Sequence, residues 1–347
     1  MGSPAEQLVG LILEGGWTVR KRLERPPGKS GGFFSQQYRI ESKNGKKAFL
    51  KALDYTEALM SSDDPARVLE ALTAAFNYER DLLSQCKQHA LDRVVSVIAD
   101  GKVRVSSAVD GMVQYLIFEE AEGDARSSMD LGARFDLSLR LRALHHIAVG
   151  LNQLHSLAIA HQDLKPSNVL MFNNGSKIGD LGCATRKGSG SPRDHLPVTG
   201  DRTYAPPELL YHHQPSDWNA RRLACDLYLL GSMVAYFFTA LGMTRLWVPE
   251  LLPMHRPGIW PGTFEEVLPF VRDAVAKAVD TVKVAIQNHV LQEEIAHIVR
   301  ELCEPDPLMR GHPKNHSGVP GNEYSVERYI TKFDLLARRA TLGHFRV

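Results

Sequence analysis

The sequence predicts an α+β chain of two lobes, a small β-rich N-terminal lobe followed by a larger helical one. Short β-rich runs fill the chain up to about Glu122, and helical periodicity dominates from Gly123 onward. The 347 residues also exceed the roughly 250 to 300 at which a single core stops growing. A composition of 44% hydrophobic and 23% charged residues is that of an ordinary folded protein and excludes disorder. The 41 Lys and Arg balance 40 Asp and Glu for a net charge of +1, so neither nucleic acid nor a membrane surface is expected as a partner.

The β-rich runs span residues 17–23, 35–42, 46–53, 93–100, 101–109 and 112–120, separated by Gly, Asn, Asp or Pro. One helix interrupts them. Asp64-Pro65 is a helix start signal, after which Leu72, Phe76, Glu79, Leu83 and Cys86 recur at spacings of four, three, four and three. A carboxylate therefore sits on an otherwise apolar face, which is costly unless it is paired.

Beyond Gly123, helical periodicity covers residues 137–157, 225–241, 264 to about 290, 291–303 and 326–342. The irregular stretch 179–218, rich in Gly, Ser, Pro and Asp, is too long for a simple connection and reads as a functional loop. Cys86, Cys183, Cys225 and Cys303 lie far apart with no CxxC pair, so a reducing, cytoplasmic setting is expected. The first ten residues lack the layout of a signal peptide. The longest apolar stretch, 227–243, falls short of the roughly 20 residues needed to span a bilayer and reads as a buried helix.

The strongest chemical signal is His161-Gln162-Asp163-Leu164-Lys165-Pro166-Ser167-Asn168, followed by Lys177-Ile178-Gly179-Asp180-Leu181-Gly182, with Asp180 lying 17 residues beyond Asp163. With these segments the chain resembles a eukaryotic-type serine/threonine protein kinase catalytic domain. The resemblance implies a two-lobed protein-kinase-like fold. Residues 16–122 would form an N-lobe of a five-stranded sheet plus one helix, and 123–335 a C-lobe with catalytic loop, activation segment and a helical insertion at about 244–290. Residues 336–347 would be a C-terminal tail.

The residue types suit phosphoryl transfer, in which positioning and neutralisation of phosphate charge supply most of the catalysis. Asp163 would accept or orient the proton of the substrate hydroxyl, and Lys165 would place a point charge on the transferring phosphate of ATP. Asn168 and Asp180 offer oxygen ligands to Mg²⁺. By the same resemblance the partner is a protein with a Ser or Thr acceptor.

Lys51, in Ala48-Phe49-Leu50-Lys51, stands at the position of the family's phosphate-contacting strand lysine. Glu79 is its expected partner rather than Glu70, because Glu79 lies on the apolar helix face and pairing relieves both charges. The phosphate-covering loop matches least. Ser30, Gly32 and Ser35 stand where the family has three glycines, and Phe49 replaces the usual small residue over the adenine. Residues 119–123 would form the hinge, with the Glu119 carbonyl and Ala121 amide facing the base, Phe118 as gatekeeper and Leu170 as the pocket floor.

Glu208, in Ala205-Pro206-Pro207-Glu208, would pair with Arg310, and Asp226 would brace the catalytic loop from a buried helix. Two departures bear on regulation. Gln162 replaces the arginine to which a phosphorylated activation segment docks, and Asp201 replaces a threonine and could pair with Lys165. Two alternatives to a protein kinase stay open: a pseudokinase acting as a nucleotide-binding scaffold, and a small-molecule kinase of related fold.

Overall fold

A computed structural model describes residues 3–24, 35–105, 111–130, 136–318 and 321–345. The chain divides into two compact units whose boundary falls between Ala121 and Glu122. Glu122 goes with the second because its N–H donates to the Met171 carbonyl at 2.9 Å.

The first unit contains strands β1 (Ile12–Leu13), β2 (Trp17–Arg22), β3 (Ser35–Glu41) and β4 (Lys47–Leu53). Helices α1 (Thr56–Met60) and α2 (Pro65–Gln88) follow, then β5 (Val97–Arg104) and β6 (Met112–Glu119). The strands form one antiparallel sheet in the order β1-β2-β3-β4-β6-β5. Side chains alternate between its faces. Ala48, Leu50 and Ala52 of β4 therefore join Tyr38, Ile40, Tyr115 and Ile117 in a fully buried core, while Phe49 and Lys51 point the other way.

Three expectations change here. The sheet has six strands, not five, and the unit does not begin at residue 16, because Ala5, Leu8 and Leu13 are buried in its core. The runs 93–100 and 101–109 do not form separate strands, since β5 continues through Asp100-Gly101. That glycine marks no turn. It admits the side chain of Tyr115 from β6, whose hydroxyl oxygen and Cζ lie closer than 3.0 Å to where a Cβ would stand.

Helix α2 begins where Asp64 accepts the Arg67 N–H at 3.1 Å, with Pro65 at its first position. Its buried residues are Phe76, Glu79, Leu82, Leu83 and Cys86. The helix thus carries one carboxylate inward.

The second unit opens with β7 (Gly123–Asp124), α3 (Ala125–Asp130), α4 (Leu137–Ser156), β8 (Ile159–Ala160), β9 (Val169–Phe172), β10 (Gly175–Ile178) and β11 (Thr185–Arg186). It continues through α5 (Pro207–Leu210), a π-helical turn at Asn219–Leu223, α6 (Ala224–Thr239), α7 (Met243–Trp247), α8 (Phe264–Val284), α9 (His289–Leu302), α10 (Pro313–His316) and α11 (Glu327–Thr341). Every residue of α6 from Ala224 to Phe237 is buried, and α4, α7 and α9 pack around it. No single helix among the described residues is long and apolar enough to cross a membrane.

The expected tail at 336–347 is instead partly core. Leu336 and Ala337 are buried in α11, which packs along α4 and continues to Thr341. The region 244–290 likewise belongs to the core, with Trp247, Val271, Val275 and Val279 buried. Its long helix stops at Val284 because Asn288 caps a new one by accepting the Leu291 N–H.

Candidate active site

In the first unit the site residues lie on the sheet face opposite its main core. Lys51 Nζ donates to both Glu79 oxygens, at 2.9 and 3.1 Å, and the glutamate side chain is 8% exposed. Glu70 is exposed on α2. The long strand lysine and the inward carboxylate thus relieve each other's desolvation. Register pairs Phe49 with Phe118, and their rings lie 6.3 Å apart at 49°. Ser35 is buried at the start of β3, whereas Ser30 and Gly32 fall outside the described residues. The Glu119 carboxylate accepts the Ser96 N–H at 2.7 Å, and Ala121 is the last residue of the unit.

In the second unit the loop from β8 to β9 presents Asp163, Lys165 and Asn168, all buried. Asn168 Nδ2 donates to the Asp163 carbonyl at 2.8 Å and to its Oδ2 at 3.1 Å. Lys165 Nζ lies 3.0 Å from Oδ2, and the Asp201 N–H reaches Oδ1 at 2.8 Å. The carboxylate is therefore held from three sides. Asp201 Oδ2 also stands 3.7 Å from Lys165 Nζ, the contact its substitution for threonine suggests.

Burial raises the Asp163 pKa above its ordinary value; Lys165 opposes the rise and the charge of Asp180 adds to it. Burial alone would lower Lys165, but Asp163, Asp201 and Asp180 together raise it. The lysine is a charged partner, not a proton donor of convenience.

Deeper in the unit, Asp226 accepts N–H groups from His161 at 2.7 Å and Gln162 at 2.8 Å, with the His155 ring at 2.9 Å. Burial by itself would raise the Asp226 pKa, but the hydrogen bond from the His155 ring, and after it the Gln162 N–H, hold it below the usual value. The His161 ring accepts the Asp163 N–H at Nδ1 and donates from Nε2 to the Gly179 carbonyl, which assigns the tautomer and ties the loop to the segment carrying Asp180. Asp180 is exposed, and both it and Gln162 have left-handed backbones at φ 60 and 65. Leu170 lies half-buried in β9 between Asp124 and Lys177.

Asn168 and Asp180 supply one amide and one carboxylate, oxygen donors suited to a hard cation. Among the described residues no group of three or more His, Cys, Asp or Glu could hold a metal. A Mg²⁺ ion, which normally completes its shell with water and substrate phosphates, needs no more protein ligands than these two.

The Ala205–Glu208 stretch is fixed by Arg310, 0% exposed, whose Nη1 and Nη2 each donate to one Glu208 oxygen at 2.7 Å. Two contributors escaped the sequence reading. Gly200 sits so near the catalytic loop that a Cβ would lie closer than 3.0 Å to the Gln162 carbonyl and Asp163 Oδ1. Arg222, 1% exposed, reaches Gln162 and Asp194. The available signal for Arg222 was its position four residues before Asp226, on the same helical face.

Residues 31–246 match the model of the protein kinase domain. The chain is 37% identical over 135 residues to "Cyclin-dependent kinase G1" of Arabidopsis thaliana, covering 38% of this chain and 21% of that protein. It is 41% identical over 73 residues to a "Wee1-like protein kinase" of the same plant, covering 20% and 14%. It is also 45% identical over 67 residues to "Serine/threonine-protein kinase mos" of Gallus gallus, covering 18% and 19%. Each match spans less than a third of the relative's own length.

Proposed function

Because the chain belongs to the protein kinase family, we propose that it transfers the γ-phosphate of ATP to a Ser or Thr hydroxyl of a protein substrate. The observation that carries this reading is the buried set of Asp163, Lys165 and Asn168, with the Asp201 N–H as the third donor to the Asp163 carboxylate. Asp163, held by three donors, orients the acceptor hydroxyl and takes its proton as the new bond to phosphorus forms. Lys165 bears on the charge of the transferring group, and Lys51, aimed by Glu79, contacts the α- and β-phosphates. Asn168 and Asp180 would hold Mg²⁺, which neutralises phosphate charge when bound. A cytoplasmic setting belongs to the same proposal, supported by four free cysteines. Burial pushes the Cys86 and Cys183 thiols up to about 12.

The test is incubation with Mg²⁺ and γ-labelled ATP, alone and with cell lysate, for the wild type, Asp163→Asn and Asp180→Asn. Both variants should lose transfer while keeping the wild-type fold, and only Asp180→Asn should lose much of the thermal shift induced by Mg-ATP. Full transfer in either variant would sink the assignment. Nucleotide binding by a wild type that transfers nothing would support the scaffold reading instead.

A further inference from the structure

The activation segment of a kinase is commonly ordered by an added phosphate that pairs with arginine. Gln162 removes that arginine from the catalytic loop. The structure places another cation beside it. Arg222, in the π-helical turn before α6, donates from Nη1 to Gln162 Oε1 at 3.3 Å, while Gln162 Nε2 donates to the Arg222 carbonyl at 2.8 Å and to Asp226 Oδ1 at 3.1 Å. The glutamine, at the position where the family has an arginine, thus locks onto the residue that carries the charge.

The other edge of the guanidinium faces the activation segment. Arg222 Nη2 meets Asp194 Oδ1 at 3.0 Å and the Asp194 carbonyl at 3.3 Å. Asp194 Oδ1 also accepts the Thr185 hydroxyl at 2.9 Å, and Oδ2 accepts the Ser191 N–H at 3.1 Å. One carboxylate therefore gathers β11, the turn at Ser191 and the catalytic loop's neighbour. The Arg222 side chain is 2% exposed, so its charge depends on this partner.

We propose that Arg222 and Asp194 are positioning residues that hold the activation segment in its ordered form, the Asp194 carboxylate standing in for an added phosphate. The inference rests on the kinase reading for its effect on rate, but not for its effect on the segment. It gives the chain an activation segment ordered without phosphorylation. Ser191 and Thr199, each 7% exposed, are sheltered from modification within that ordered segment.

The experiment uses the full chain as wild type, Asp194→Asn, Asp194→Glu, Arg222→Gln and Thr185→Val. Amide hydrogen exchange over residues 185–200 is measured beside kcat, the KM for ATP and the melting temperature. Asp194→Asn and Arg222→Gln should speed exchange in this segment and lower kcat by about tenfold or more, with the KM for ATP within about twofold of wild type. Asp194→Glu, which keeps the charge, should retain more of both properties than Asp194→Asn. Phosphatase treatment of the wild type should change neither. Should the charge variants lower global melting, Thr185→Val, which removes one hydrogen bond and no charge, must still loosen the same segment. Unchanged exchange in Asp194→Asn, or a tenfold loss of activity on phosphatase treatment, would overturn the proposal. A wild type that transfers no phosphate would overturn the kinase reading, while exchange would still decide the latch.

Discussion

Glu208→Gln removes the counter-charge of a guanidinium that is 0% exposed while leaving the side chain's volume unchanged. All five N–H donors of Arg310 are used: two on the Glu208 oxygens, and one each on the carbonyls of Ala224, Pro305 and Glu304 at 3.0, 3.0 and 2.8 Å. In the variant an amide NH₂ opposes one guanidinium NH₂, so a charge-assisted bond is lost and a buried charge is left without compensation. Breaking such a pair costs about 3 to 5 kcal/mol. At roughly 2 to 4 °C per kcal/mol for a unit of this size, the melting temperature should fall by roughly 6 to 20 °C. Circular dichroism melts and urea titrations, in which the midpoint falls with an unchanged slope, measure the effect. Arg310→Lys should fall in the same range, because a lysine's point charge cannot serve five acceptors. Replacing both by Leu and Met should restore only part of the loss, since three carbonyls then lack a donor. A drop under about 2 °C in Glu208→Gln, less than 1 kcal/mol, would show that the pair does not hold the unit together.

Three further outcomes test the site. Glu79→Ala should slow transfer much more than Glu70→Ala, because Lys51 loses its aim only in the first; equal losses measured on folded variants would place the pairing elsewhere. Asp163 has its pKa raised by burial and lowered by Lys165, so the acid limb of the kcat profile should lie above the ordinary carboxylate value of about 3.9 and move higher still in Lys165→Gln. A limb that stays put or moves down contradicts that coupling. For Asp226, whose folded pKa is depressed, the stabilising contribution is present above the unfolded value and lost as pH falls through the folded one. The difference in stability between wild type and Asp226→Asn should be constant above about pH 5 and narrow below about pH 3.9; chemical unfolding at a series of pH values shows whether it does.

Contiguous chemistry was legible in the sequence. The order of Asp163, Lys165, Asn168 and Asp180 needs only short loops to become a site, and the segregation of strands from helices follows from periodicity. Glu79 was legible for a related reason: a carboxylate on an apolar helix face must find a cation, and Lys51 sat on a strand with the same need. The structure places Lys51 Nζ 2.9 Å from it.

Other features depended on partners distant along the chain. Asp100-Gly101 looks like a turn unless Tyr115 is known to cover it, and residues 3–15 fall before the expected start of the lobe at residue 16 until Ala5, Leu8 and Leu13 meet the sheet. Gly200 is one small residue among many in a loop, and only its contact with Gln162 and Asp163 shows that no side chain fits there. Arg222 and Asp194, 28 residues apart, carry no local pattern linking them, and only packing beside Gln162 brings their charges to 3.0 Å. By itself the sequence determined which residues of the kinase family's motifs are present and in what order, because those residues lie within short, ordered segments. The tertiary structure decided what holds them still, because burial and pairing across the fold depend on distances in space that spacing along the chain does not encode.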